Sequence, residues 1–483
     1  MSEKKENSSQ SVLWSAIERF SVQGVSFILS IIIARLVMPE EFGLIAMLAI
    51  FISLAQAFVD SGFSNALIQK QNRTEIDYST VFHFSIVVSL FFYLLFILTA
   101  PLIAKFYEQP RLVSITRWIA LSFVLSSFSV VQRSKLTIAH DFKTQALASL
   151  IAVVVSGGLG ILFAYLGYGV WALVIQTNVN QLLISVCLWI FAKWTPKFVF
   201  SWESFKTLFS FGSKLLVSGL INSLYTNIYT IVIGKVYNST QLGYYSKANE
   251  LSQFSAVSLS TILHRAVYPF ECELQDNDAQ LRTFFTSYLR LCAYVSFPVL
   301  ALVFVLAHPF VTIVLTDKWL PAVPMIQILT LAYMWYTLSY VNCQLLNVKG
   351  RSDLFLRAEI IKKIVAVTIL FIAMPFGILA LCWSFVIYQI LDFCIILPFV
   401  KKVIGLGYKD ELKCILPPLL LTIASALVSY FVMIIINNGI IQLVLGLIVF
   451  ISLFFLGSLI FKFKEYDLLI QQLIKMGIIS KRR

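Results

Sequence analysis

The sequence predicts an all-α integral membrane protein with about fourteen transmembrane helices. Its composition is the first reason: of 483 residues, 59% are hydrophobic and 13% are charged, and the mean hydropathy is +0.86. About a quarter of the residues in a soluble domain are charged. The second reason is that the apolar residues form runs of the length that about 30 Å of hydrocarbon requires. Short polar segments and Gly or Pro residues separate these runs.

The apolar runs set approximate limits for each helix. In chain order, the predicted spans are 12 to 35, 42 to 68, 80 to 104, 112 to 132, 146 to 166, 169 to 192, 208 to 234, 241 to 263, 287 to 308, 322 to 347, 355 to 375, 377 to 400, 413 to 436 and 440 to 461. The first run is too long for the apolar core of a signal peptide and has no A-x-A-like cleavage site, so we expect this helix in the mature protein.

The distribution of Lys and Arg predicts the orientation. Most of these 37 residues lie at the N-terminus, in the tail or in the even-to-odd loops. The exceptions in the odd-to-even loops and their edges are Arg35, Lys105, Arg111, Arg117, Lys235 and Lys318. By the positive-inside rule, both termini are cytoplasmic, which requires an even number of spans.

Two short internal matches indicate a repeat. The segment from Ala34 to Gly43 aligns with the segment from Gly234 to Gly243 at an offset of 200, since each has a helix end, a basic residue, a short polar turn and a Gly. The segments that begin at Gly169 and Gly377 match at an offset of 208. The predicted domains are therefore an N-terminal lobe of helices 1–6 (residues 1–205), a C-terminal lobe of helices 7–12 (residues 206–402), and accessory helices 13 and 14 with a cytoplasmic tail (residues 403–483).

Ionisable residues within the apolar runs are the candidate site residues. A charge in hydrocarbon costs at least about 2.5 kcal/mol, so such residues normally face a bundle interior or a watery cavity. The candidates for a polar cavity are Glu18, Arg19, Asp60, Lys214, Lys247 and Glu250.

Each candidate has an alternative interpretation. Glu18 and Arg19 point about 100° apart on one helix, so they do not pair with each other. Arg19 either binds an anionic ligand or pairs with an acid such as Asp60. Lys247 and Glu250 are three residues apart and either neutralise one another or line the cavity. For Lys214, and for Lys362 in a later run, snorkelling to the cytoplasmic surface is the favoured interpretation.

The sequence argues against several other classes. The net charge of +13 comes from Lys and Arg scattered over short loops, which is typical of a membrane protein rather than a nucleic-acid-binding one. A phosphate-binding loop of the G-x-x-x-x-G-K-[ST] type is absent, so we expect no ATP hydrolysis. The seven cysteines contain no C-x-x-C pair and the histidines lack metal-ligand spacing, so we expect neither a disulfide nor a metal site.

One family matches the order of the motifs. Adjacent acidic and basic residues in helix 1 are followed by ARLVMPEEFGLIA, FVDSGFSNALIQK and QRSKLTIAHDFK. This order resembles the polysaccharide and lipopolysaccharide (O-antigen type) biosynthesis flippases of the multidrug/oligosaccharidyl-lipid/polysaccharide exporter superfamily, over essentially the whole chain.

The resemblance implies a MATE-like bundle of two six-helix lobes plus two C-terminal helices. It implies that the chain moves undecaprenyl-diphosphate-linked oligosaccharide, a precursor of lipopolysaccharide, capsule or exopolysaccharide, across the bacterial cytoplasmic (inner) membrane by alternating access. It thereby implies a transporter rather than an enzyme. No cofactor is expected, a proton or sodium gradient is the candidate driving force, and other glycan assembly proteins are candidate partners.

The chemistry of such a substrate agrees with the candidate residues. Arg19 is the first candidate for the diphosphate because a guanidinium binds phosphate oxygens in pairs, and Lys247 and Lys214 follow. Two rival classes remain open. A cation or drug exporter of the same superfamily should have an acidic cavity, and a membrane glycan polymerase or ligase should have a large outer loop with catalytic residues.

Overall fold

The computed structural model describes residues 21–60 and 62–466. The described chain consists of helices joined by short turns and contains no strand within those ranges. The helices are α1 Ser21–Leu36, α2 Pro39–Asp60, α3 Phe63–Gln69, α4 Glu75–Tyr107, α5 Leu112–Ile119, α6 Leu121–Ser127, α7 Val130–Ile138, α8 Phe142–Tyr165, α9 Val170–Ala192, α10 Trp202–Val236, α11 Ser239–Glu273, α12 Asp278–Phe310, α13 Val323–Val348, α14 Ser352–Ala373, α15 Ile378–Ile404, α16 Tyr408–Ile434 and α17 Gly439–Ile460.

These helices confirm the all-α membrane class. Within the described residues, each predicted span overlaps one helix, or a rod broken into shorter helices as in α2–α3 and α5–α7. Within the described ranges, ten helical segments are long and apolar enough to cross a membrane, and α1 is a shorter apolar helix. The total of fourteen spans therefore stays a prediction.

Local sequence signals set the helix ends. The helix α4 begins with a capping box, in which the Thr74 side chain accepts a hydrogen bond from the backbone N–H of Asp77 and the Asp77 carboxylate accepts one from the N–H of Thr74. The Asp141 carboxylate caps α8 in the same way at the N–H of Thr144. Between α2 and α3, Gly62 has a φ of 65°, which only glycine adopts without strain. This break ends α2 at Asp60.

The chain divides into two compact units after Gly243. In the first unit, α8 packs along α9, α10 packs along α2, and α4 packs against α5 and α6. A buried aromatic cluster that includes Phe63, Phe82 and Trp194 joins α3, α4 and the segment after α9. Because α10 packs here on α2, α3 and α4, this compact unit extends past residue 205. The predicted lobe limits of 1–205, 206–402 and 403–483 stay a prediction.

The second unit is organised around α12 and α13. The helix α13 packs along α15 and α12, and α12 also packs against α16 and α17. The core between them is continuous and includes Phe285, Phe297, Leu338 and Phe450, all almost fully buried. The predicted accessory helices 13 and 14, which are α16 and α17, are therefore part of the packed core of this unit.

Two turns of the internal repeat contact each other reciprocally within the first unit. A Cβ on Gly43 would lie 1.7 Å from the backbone oxygen of Ser239, and a Cβ on Gly243 would lie 1.9 Å from the backbone oxygen of Pro39. Gly43 thus lies against the first residue of α11, and Gly243 lies against the first residue of α2. Only a residue without a side chain permits this approach of two backbones.

Replacing either glycine should therefore destabilise the protein. Gly43→Ala and Gly243→Ala each place a methyl group against backbone that cannot rotate away, so we expect a loss of about 1–3 kcal/mol or failure to fold. The measurement is the thermal midpoint of the purified protein in detergent. The control is Gly158→Ala in α8, where a Cβ meets no atom within 4 Å and helix propensity favours alanine by up to about 1 kcal/mol. Equal thermal midpoints for Gly43→Ala and Gly158→Ala would contradict the close contact.

Candidate functional site

The first unit contains a polar cavity of 780 Å³ that is partly open. Residues of α1–α3 and α6–α10 line it, and most are small or polar. The polar lining residues are Ser26, Gln56, Asp60, Ser64, Asn65, Ser126, Ser129, Arg133, Ser149, Asn180 and Gln181. Such a concentration of hydroxyl and amide groups inside an apolar bundle provides an aqueous space at membrane depth.

Asp60 is the acidic residue among the described residues that line the cavity. It is surrounded by the bundle yet exposed, because its side chain faces this space. Its carboxylate interacts with the Gln56 side chain one turn earlier on α2 and with the positive charge of Arg133. The break at Gly62 places Asp60 at the end of α2, where the chain turns into α3.

Arg133 is the basic residue in the part of the cavity lining that the structure describes. It lies on the short helix α7, it is exposed, and its guanidinium makes no ion pair with any residue that the structure describes. A hydrogen bond of 2.6 Å between the Ser134 and Ser64 hydroxyl groups ties α7 to α3. The helix that presents Arg133 is thereby fixed to the wall that carries Asn65.

Arg133 was missed among the candidates from sequence. The predicted span ended at residue 132, which assigned Arg133 to a cytoplasmic loop, whereas the helical rod continues to Ile138. A signal was present, since Arg133 belongs to the QRSKLTIAHDFK segment on which the family resemblance partly rests.

The cavity has the composition of a site for a polar anionic ligand. A guanidinium offers paired N–H donors to phosphate or carboxylate oxygens. The surrounding hydroxyl and amide groups both donate and accept hydrogen bonds, as a sugar does. In the described residues, no group of three or more His, Cys, Asp or Glu side chains is placed to hold a metal ion.

The other residues predicted for a cavity have different positions. Glu18 and Arg19 lie outside the described residues. Lys214 lies on α10 and is exposed, but the lining residues that α10 contributes are Leu215, Leu216 and Gly219.

Lys247 and Glu250 form an ion pair in the second unit. The Nζ of Lys247 lies 2.7 Å from Oε2 of Glu250, and the side chains are 1% and 39% exposed. This geometry matches the interpretation in which the two residues neutralise one another within α11. Whether they also contact a ligand stays a prediction.

Lys362 corrects a prediction from the sequence. It does not snorkel, because it is only 3% exposed and its Nζ lies 3.1 Å from Oδ1 of Asp392, 3.3 Å from the Ser339 hydroxyl and 2.9 Å from the Cys343 sulfur. Ser339 also donates a hydrogen bond to Asp392. This buried cluster joins α13, α14 and α15. The attraction between Lys362 and Asp392 compensates for the hydration that Lys362 would have gained by snorkelling to the surface.

Breaking this pair should destabilise the second unit. Lys362→Met strands the carboxylate of Asp392 in the core, for which we expect a loss of about 3–5 kcal/mol in thermal or denaturant unfolding. Adding Asp392→Asn should recover most of that loss, because no buried charge is then unpaired. The control is Lys402→Met, an exposed position near the end of α15, for which we expect a change within about 0.5 kcal/mol. A double variant as unstable as Lys362→Met would refute the ion-pair account.

Characterised proteins resemble this chain over most of its length. It is 28% identical over 379 residues to the teichuronic acid biosynthesis protein TuaB of Bacillus subtilis (strain 168), covering 78% of each chain. It is 22% identical over 421 residues to the lipopolysaccharide biosynthesis protein WzxC of Escherichia coli (strain K12), covering 86% of each.

Solved transporter structures share the fold. The lipid II flippase MurJ in an inward closed conformation superposes with a TM-score of 0.74 at 16% identity, over 95% of this chain and 100% of the other. An inward-facing multidrug resistance MATE family transporter of the MOP superfamily superposes with a TM-score of 0.59 at 14% identity, over 80% and 98%. At these identities, the likeness establishes the all-α transporter fold.

A family model assigns the chain directly. The model described as "polysaccharide biosynthesis protein" matches residues 32–324. The match begins in α1, contains all of α2–α12 and ends at the start of α13, and it covers more than half of the 483 residues. The chain therefore belongs to the polysaccharide biosynthesis protein family.

Proposed function

We propose that this protein is a flippase that moves a lipid-linked oligosaccharide from the cytoplasmic to the outer leaflet of a bacterial cytoplasmic membrane. The observation that carries the proposal is the polar cavity with Arg133 and Asp60 inside a membrane bundle. The family assignment supports it, and so do the names of the relatives TuaB and WzxC, which are a teichuronic acid and a lipopolysaccharide biosynthesis protein.

The substrate class follows from the groups in the cavity. A polyprenyl diphosphate linked to a glycan, such as an undecaprenyl-diphosphate oligosaccharide, has an anionic centre, many hydroxyl groups and a long apolar tail. Arg133 binds the diphosphate oxygens, and the serine, asparagine and glutamine side chains exchange hydrogen bonds with the sugars. The tail stays in lipid, where it costs nothing to solvate. Arg19 remains a second candidate for the diphosphate.

The cavity lowers the free-energy barrier to crossing the membrane, because its polar side chains replace the water around the diphosphate and the glycan. A charge alone in hydrocarbon costs at least about 2.5 kcal/mol and a diphosphate carries more than one. Alternating access supplies the movement, as the cavity opens to one leaflet and then to the other. A proton or sodium gradient is the candidate driving force.

The rival functions fit the described residues less well. A cation or drug exporter needs a cavity that attracts cations, but here the positive charge of Arg133 offsets the negative charge of Asp60. A glycan polymerase or ligase needs an outer catalytic segment. Within the described residues, the turns at 37–38, 108–111 and 166–169 are too short to form one. The proposal is therefore a transporter without catalytic residues of its own.

The proposed location is the cytoplasmic (inner) membrane with both termini in the cytoplasm. Other glycan assembly proteins are proposed partners because a flipped precursor must next be polymerised or transferred.

Removing the charge of Arg133 should impair export. A hydrogen bond to a charged group contributes roughly 1.5–3 kcal/mol, so Arg133→Gln should lower export by about tenfold or more, whereas Arg133→Lys should keep partial activity. The measurement is surface glycan, together with lipid-linked precursor retained in the membrane, in a deletion strain that expresses each variant. The matched control is Arg117→Gln, an exposed arginine of the same unit that does not line the cavity.

A double variant separates phosphate binding from charge balance. If Arg133 only compensates the charge of Asp60, then Arg133→Gln combined with Asp60→Asn should restore export. Export at the wild-type level by this double variant, or equal loss in Arg117→Gln, would contradict phosphate binding by Arg133.

The proposed orientation predicts which turns are labelled from outside. In intact cells, an impermeant thiol reagent should label Asn238→Cys, which is in an exposed turn, and should leave Lys197→Cys and Lys402→Cys unlabelled until the membrane is permeabilised. The wild-type chain is the control for its own cysteines. Labelling of Lys402→Cys in intact cells would contradict the proposed cytoplasmic location of the end of α15.

A further inference from the structure

Glu271 is a buried carboxyl group that the proposed transport cavity does not use. It lies near the end of α11 in the second unit, eight residues past the predicted end of the span at 263, and the residue is 1% exposed. At 1.5 Å per residue, that places it about 12 Å beyond the predicted membrane limit. The same helix carries Glu273, which is exposed.

Glu271 has no compensating partner in the described chain. Its Oε1 atom is buried without a hydrogen bond, and it forms no ion pair with any described Lys, Arg or His. An ionised carboxylate without a partner costs far more to bury than a neutral one, so such a group takes up a proton instead of remaining charged. Glu271 therefore differs from Asp392, whose charge is balanced by Lys362.

The surroundings of Glu271 are weakly acidic and uncharged. The titratable groups that sense its charge are Tyr268 on α11 and Tyr288 and Cys292 on α12. Tyr288 also interacts electrostatically with Tyr340 on α13. The Tyr288 hydroxyl is also buried without a hydrogen-bond partner. A protonated carboxyl has a donor and an acceptor to offer to such a hydroxyl, whereas a carboxylate only accepts.

A basic side chain near this end of α11, Lys349, is already engaged. The Nζ of Lys349 lies 2.6 Å from the backbone oxygen of Gln275 and 2.8 Å from Oδ1 of Asp278. This contact closes the turn between α11 and α12 and keeps the ammonium group on Asp278. The ammonium group of Lys349 is thereby bound to Gln275 and Asp278, and it forms no ion pair with Glu271.

We propose that Glu271 is a proton-binding site of the second unit, which binds and releases a proton at the end of α11 that faces the cytoplasm in the proposed orientation. Solvent is close, since Cys272 is half-buried and Glu273 is exposed. Release of the proton leaves a carboxylate among Tyr268, Tyr288 and Cys292, which favours rearrangement of α11 against α12. A role of this proton in coupling rests on the proposed function, with the proton rather than sodium as the driving ion.

The pH range follows from burial. Burial raises the pKa of the Glu271 carboxyl from 4.5 to about 7. Because the folded protein holds the proton more tightly than the unfolded chain, the site stabilises the fold fully below pH 4.5. That contribution is lost as the pH rises towards about 7. The proton therefore comes off near neutral pH.

The test is the pH dependence of thermal unfolding of the full-length protein in detergent. Between about pH 5 and about pH 8, the midpoint of the wild type should fall with rising pH, and Glu271→Gln, which mimics the protonated form, should remove that part of the slope. The matched control Glu273→Gln should keep the wild-type slope. The difference between the infrared spectra of the wild type and Glu271→Gln should contain a protonated-carboxyl band that disappears over the same range.

The outcomes separate the site from the transport function. A Glu271→Gln variant that keeps both the wild-type slope and the infrared band, or that fails to fold although it carries the neutral form, overturns the proton site. Loss of both signals in Glu271→Gln supports the proton site. If the wild type moves no lipid-linked glycan in vesicles, that result refutes only the proposed function and leaves the proton site standing. When the wild type does move glycan, equal dependence on pH in Glu271→Gln overturns the coupling role.

Discussion

An ionisable side chain within the helical bundle must be paired, hydrated or neutral, and this constraint organises the structure. Lys362 and Asp392 satisfy it by pairing in the core of the second unit. Asp60 and Arg133 satisfy it by facing a cavity large enough for water or a polar ligand. Glu271, just past the predicted membrane limit, satisfies it by taking up a proton. The energetic penalty is the same in kind, but each solution makes the residue suitable for a different task.

The overall class was predictable because the physical signal is strong and local. Hydrocarbon thickness imposes a minimum length on each apolar run, so the predicted spans match the observed helices to within a few residues at many ends. Helices extend furthest past their predicted limits where they leave the bilayer, as α11 does when it continues to Glu273. Polar helical residues outside the membrane carry no hydropathy signal, and hence their helical state was not predicted.

The candidate site was predicted only in part because side-chain direction and distant neighbours decide which charges meet. Asp60 was found from its depth, and it does face a cavity. Arg133 is not among the predicted candidates because the predicted span ends at residue 132, whereas the helix α7 continues to Ile138. Lys362 was assigned to the surface because its partner, Asp392, is thirty residues away in sequence and on another helix. A single sequence indicates how deep in the membrane a charged residue lies, but it does not indicate which residue of another helix pairs with it.

The reciprocal contact of the two glycine turns has a consequence for the origin of the chain. Gly43 lies against Ser239 and Gly243 against Pro39, and both pairs are related by the same offset of 200 residues. An exchange in which residue i meets j and j meets i is the mark of an isologous interface between two identical subunits. Here one polypeptide supplies both sides. Duplication and fusion of a self-pairing ancestor would leave this contact, and afterwards neither glycine could change without a compensating change in the opposite turn.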